Sequence, residues 1–154
     1  MHNAGRRSLA EALEAAPATS TWARIWLALL IVGDSGRDIQ ERAFRFACAV
    51  VAFCDTADDR RRTTERLLLQ LFAAGTSIGA NLAEASAGQT KPDFIAKTCV
   101  SLKEAREARY WLLLIVATRG ALQPAAQPLL EEARELVKIL TTIVKNARSN
   151  PHRG

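Results

Sequence analysis

Ala73-Ala74-Gly75-Thr76-Ser77-Ile78-Gly79-Ala80-Asn81-Leu82-Ala83-Glu84-Ala85, and then Leu102-Lys103-Glu104-Ala105-Arg106-Glu107-Ala108-Arg109-Tyr110-Trp111-Leu112, mark this chain as a packed helical protein. Both stretches follow a helical rhythm, with apolar residues returning every three or four positions. The first is lined with small side chains. Gly inside a helix costs about 1 kcal/mol against Ala, so the spacing of Gly75, Gly79 and Ala83 at i, i+4 and i+8 predicts a neighbouring helix lying close against that stripe. Asn81 and Glu84 stand three apart and share a face. These features point to helix packing before they point to any reaction.

On either side of these stretches the pattern extends to four helices. Asp38 is placed to cap the first, which runs to about Cys54 with Ile39, Ala43, Phe46, Ala47, Val50 and Phe53 on its apolar face. Residues 55–59 form a polar loop. The second begins near Arg60 to Thr64, ends near Ala87, and carries Leu67, Leu68, Leu71, Phe72, Ile78 and Leu82. Pro92 sits where a first turn tolerates it, and the third runs from about Asp93 to Thr118 with Phe94, Ile95, Leu102, Ala105, Leu112, Leu113 and Val116 as apolar positions. Pro124 and Pro128 precede the fourth, in which Leu129, Ala133, Leu136, Val137, Leu140, Ile143, Val144 and Ala147 keep the spacing. No strand alternation is sustained. The expected fold is all-α, an antiparallel up-down four-helix bundle over residues 38–148, with an N-terminal extension at 1–37 and a tail at 149–154.

The extension holds an apolar run from Trp22 to Val32, too short for a bilayer, which needs about twenty residues. It reads as a signal-peptide core, as a short docked helix, or as a disordered segment; Glu11 and Glu14 upstream count against the first. Of the net charge of +5, residues 1–37 carry +1, residues 38–148 carry +3, and Arg153 the last unit. A surplus so evenly spread is compatible with nucleic-acid binding and does not demand it. Cys48, Cys54 and Cys99 form no C-x-x-C pair and read as buried small hydrophobes in a reducing cytoplasm. With His2 and His152 both terminal, no metal site or cofactor is expected.

Catalysis needs a nucleophile or a poised acid–base pair, and the sequence offers neither a nucleophile elbow nor a phosphate-binding glycine loop. Glu84 and Glu107 are paired carboxylates only if their helices bring them together. Otherwise, with Asn81, they are polar ties inside the bundle. The basic candidates are Arg60, Arg61 and Arg62 with Arg66, and Lys97, Lys103, Arg106 and Arg109 on the third helix. Lys103, Arg106 and Arg109 lie three apart in succession, a stripe suited to phosphates; the alternative is a solvated face balanced by Glu104 and Glu107, or a row of inter-subunit salt bridges. Tyr110 and Trp111 beside it either stack on bases or anchor core and subunit contacts. Leu67, Leu68 and Leu69, with Leu112 to Val116, place apolar surface on more than one face, which predicts self-association.

The segment Ser77-Ile78-x-x-Asn81-x-Ala83-Glu84, the Asp93-Phe94 helix start and Leu102-Lys103-Glu104-Ala105-Arg106-Glu107-x-x-Tyr110-Trp111-Leu112 resemble a family of small bacterial four-helix bundle proteins. These are the intervening-sequence proteins encoded inside large-subunit ribosomal RNA genes, formerly labelled ribosomal proteins, together with the accessory variability protein of diversity-generating retroelements. The resemblance covers about residues 38–148. It implies barrel-shaped homopentamers and, for the retroelement branch, binding of RNA or DNA and of a reverse transcriptase; no membrane partner is expected, since the apolar run is too short to span a bilayer. Ala85 stands where the family usually has Gly after the Ala-Glu pair.

Overall fold

The computed structural model describes residues 39–57 and 60–149. The apolar segment 22–32, the Asp38 cap and the rest of the extension lie outside the described residues. Four helices follow in order: α1 (Ile39–Thr56), α2 (Arg62–Ala87), α3 (Lys91–Thr118) and α4 (Gln123–Ser149). The short connections force antiparallel neighbours, and each helix packs on the next. The α2–α3 seam is the most extensive and the α1–α4 seam, which closes the ring, is the thinnest.

Local chemistry sets the helix starts. Thr90 caps α3 by accepting the Asp93 N–H at 3.3 Å, while the Thr90 hydroxyl donates to the Asp93 carboxylate at 2.5 Å; Pro92 occupies the first turn. Before α2, Arg60 takes a left-handed φ of 56° and Arg61 is an extended N-cap whose side chain makes no capping bond to the helix. A non-glycine residue in that conformation costs about 1–2 kcal/mol, so the turn into α2 relies on tertiary bonds. Arg119, at the end of α3, provides them by donating to the Thr64 hydroxyl at 2.6 Å and to the Thr63 hydroxyl at 2.9 Å.

Phe46, Leu71, Ile78, Leu112, Ile115, Leu129, Leu136 and Leu140 fill the centre. Two buried hydroxyls are satisfied by carbonyls: Thr98 donates to Phe94 O at 2.7 Å, and Ser101 donates across the α2–α3 seam to Ile78 O at 2.8 Å. Among the described residues no buried side-chain polar atom lacks a partner.

Three expectations need correction. Phe72 and Leu113, expected in the core, are 44% and 49% exposed, because the buried faces of α2 and α3 are already filled by their neighbours at 71, 74 and 75 and at 112 and 115. Pro128 lies inside α4 and not before it. In the second turn its missing N–H removes one backbone bond, while starting the helix at Gln123 buries Ala126, Leu129 and Leu130. The small-residue stripe turns toward α1, yet Ala83 falls off it and is exposed. A β-carbon on Gly75 would stand 3.0 Å from both methyl carbons of Val50, and one on Gly79 would stand 3.7 Å from the Ala43 carbonyl and the Phe44 nitrogen.

Candidate functional site: the outer face of the third helix

Helical spacing puts Lys103, Arg106 and Tyr110 on the outward side of α3, with Arg109 on its flank, and all four are exposed. Leu113 continues the line one turn on. Among the described residues neither Glu104 nor Glu107 forms a salt bridge with the stripe. Glu107 instead accepts the Trp111 indole N–H at 3.2 Å. The Glu104 carboxyl is half-buried, which pushes it above the usual carboxylate range; repulsion from Glu107 adds to this and attraction to Lys103 opposes it. The folded chain therefore holds that proton more tightly than the unfolded chain, so the contribution of Glu104 to stability grows as pH falls through its raised value.

The aromatic pair divides in two. Trp111 is half-buried against the core and tied to Glu107. Tyr110 is 54% exposed, its ring 5.2 Å from that of Trp111 at an interplanar angle of 70°. Of the two, Tyr110 is the more exposed.

Asn81, Glu84 and Glu107 are not ties within the interior. Asn81 donates to Ser77 O at 2.8 Å in its own helix, and Glu84 is exposed and pairs with Lys97 on the α2–α3 seam. Glu107 lies ten residues beyond Lys97 along α3, about 15 Å at helical rise, so the two carboxylates are not a pair. The bundle centre is filled by apolar side chains, and a charge there would be costly to desolvate. Among the described residues no group of three His, Cys, Asp or Glu could hold a metal ion.

Arg60, Arg61 and Arg62 lie exposed at the end of the bundle where Arg119 meets Thr63 and Thr64. Ten residues of α3 separate Arg109 from Arg119, about 15 Å, so this basic cluster is not continuous with the stripe. Arg42 escapes a reading of the sequence. Its Nε and Nη2 donate to the Glu132 carboxylate at 2.5 and 2.9 Å, latching α1 to α4 across the thinnest seam. Pairs ninety residues apart leave no trace in local spacing.

The three cysteines are free thiols and half-buried, not fully buried as expected. Cys54 lies within 3.6 Å of Leu68 O, and burial pushes its thiol up to about 12. Its thiolate is scarce at neutral pH, and the thiolate is the reactive form. Alkylation at mild alkaline pH should therefore label Cys54 only at the rate at which the seam opens. Mass mapping that finds Cys54 modified as fast as a free thiol in urea would refute this.

Three comparisons with known proteins bear on the chain. Residues 37–142 match the family model described as 23S rRNA-intervening sequence protein. The chain is also similar to a solved structure of a protein with unknown function from the S23 ribosomal protein family of Bacteroides thetaiotaomicron. The two are 30% identical with a TM-score of 0.61, over 70% of this chain and 95% of that one. No curated protein matches.

Proposed function

Because the chain belongs to the 23S rRNA-intervening sequence protein family, we propose that it is a non-catalytic, oligomeric, cytoplasmic adaptor whose third helix engages nucleic acid. The observation that carries this reading is the state of Lys103, Arg106 and Arg109: three exposed cations on one helix, none bridged by Glu104 or Glu107. Unbridged cations in a row can each neutralise a phosphate and release a counterion. A second surface supports self-association. Phe44, Leu69 and Phe72 are 60%, 66% and 44% exposed, and they stand on α1 and α2, the two helices that approach closely at Gly75 and Gly79. A second copy would cover them. Repetition around a pentamer, the assembly implied by the family resemblance, would turn weak three-charge contacts into avid binding. A nucleic-acid enzyme such as a reverse transcriptase is the protein partner that fits the same reading, and its gene would be expected beside this one.

Replacing Lys103, Arg106 and Arg109 together by Gln tests the proposal. The variant should keep the parent's secondary structure and its oligomeric mass by light scattering. It should bind RNA and DNA at least about tenfold more weakly, with the log–log salt slope flattened by about 0.7–0.9 for each phosphate no longer neutralised. Unchanged affinity and slope would remove the stripe as the site. Collapse of the assembly would make it an inter-subunit salt-bridge row, favouring a structural bundle with no nucleic-acid role.

A further inference from the structure

We infer that Tyr110 is a base-stacking platform, so that the outer face of α3 takes single-stranded nucleic acid in preference to duplex; the inference rests on the phosphate reading of Lys103, Arg106 and Arg109. Tyr110 leaves 54% of its surface in solvent inside a 28-residue helix, eight residues before its end at Thr118. Its ring is not free to wander. Trp111 meets it edge to face at 5.2 Å and 70°, and Trp111 is itself fixed by the core on one side and the Glu107 carboxylate on the other. A ring held by a fixed neighbour and more than half exposed loses little entropy when a flat partner lands on it.

The surroundings select the partner. Arg106 lies one turn before Tyr110, Lys103 two turns before, and Leu113, 49% exposed, one turn after. Cations on one side of an open aromatic ring, with an apolar shelf on the other, match a sugar–phosphate backbone with an unpaired base beside it. In a duplex the base faces are covered by each other, so the ring would find no partner and only the charges would act. Tyr and Arg also serve protein interfaces, but three exposed cations, Lys103, Arg106 and Arg109, within two turns favour a polyanion. The exposed apolar residues of α1 and α2 lie on other helices and leave this face open.

The test uses the full chain, fluorescence anisotropy, and labelled oligouridine and oligothymidine against duplex RNA and DNA of the same length. Tyr110→Leu should weaken single-strand binding about five- to a hundredfold, leave duplex binding unchanged, and leave the oligomeric mass unchanged. Tyr110→Phe, which keeps the ring, should bind single strands as the parent does. If Tyr110→Leu binds single strands with the parent's affinity while the triple Gln variant is weakened, stacking is overturned and the phosphate reading stands. If the parent binds neither form, both fall together. Loss of assembly in Tyr110→Leu would make the ring a subunit anchor and overturn the inference.

Discussion

Gly75→Leu should lower the urea midpoint of the bundle more than any other single change on the α1-facing side of α2. A β-carbon there already meets both Val50 methyl carbons at 3.0 Å, and Val50 is fully buried with a β-branched side chain that has essentially one helical rotamer. Neither side can yield without moving α1. Overpacking of this kind costs about 3 kcal/mol, of which better helix propensity returns about 1 kcal/mol. Gly79→Leu should behave similarly for a different reason. Its β-carbon would fit, at 3.7 Å from the Ala43 carbonyl and the Phe44 nitrogen, but the atoms beyond it run into backbone, which cannot rotate aside. Gly79→Ala, stopping at the β-carbon, should therefore be neutral or stabilising by up to about 1 kcal/mol. A raised or unchanged midpoint in both Leu variants would disprove the close approach of α1 and α2.

Glu132→Ala is expected to cost about 1.5–3 kcal/mol, the range for a hydrogen bond to a charged group. Glu132 is only 12% exposed and receives both prongs of the Arg42 guanidinium, which is 33% exposed. Removing the carboxylate strands a guanidinium in a half-dry seam. That seam is the thinnest in the ring, and the charge left to act on Arg42 is that of Glu135. Glu132→Gln, which keeps one acceptor and drops the charge, should fall in between. Replacing both partners by apolar residues of similar size should recover most of the deficit, since the desolvation cost then disappears with the pair. Equal urea midpoints for parent and Glu132→Ala would show that the latch contributes nothing. Hydrogen exchange should locate the effect in α1 and α4.

The surfaces proposed for self-association and for phosphate contact lie on different helices, which lets them be mutated separately. Changes at Phe44, Leu69 or Phe72 should alter mass before they alter affinity per subunit. Changes at Lys103, Arg106, Arg109 or Tyr110 should do the reverse.

Much of this architecture is legible in the chain itself. Period 3.6 in the apolar residues, Pro92 in the first turn of α3 and the short loops specify four antiparallel helices, because these signals act within a few residues of one another. The Gly75–Gly79 repeat announces a close-packed neighbour for the same reason. That the neighbour is α1 does not follow from it: a stripe says how near a helix can come, not which helix comes. Which apolar residues are left outside is equally hidden. Phe72 and Leu113 satisfy the same spacing as buried neighbours, and only the limited volume between four helices decides who is excluded. Exclusion separates Tyr110 from Trp111, adjacent in sequence, into an open ring and its support. Charge pairing is likewise tertiary. Glu84 and Glu107 look alike in sequence, yet one meets Lys97 across a seam and the other meets an indole on its own helix. Propensity, capping and periodicity are local, so the residues alone set the helices and their order. The choice of neighbours, the latch between Arg42 and Glu132, and the open face of α3 arise on folding, because they depend on distances between residues the chain keeps far apart.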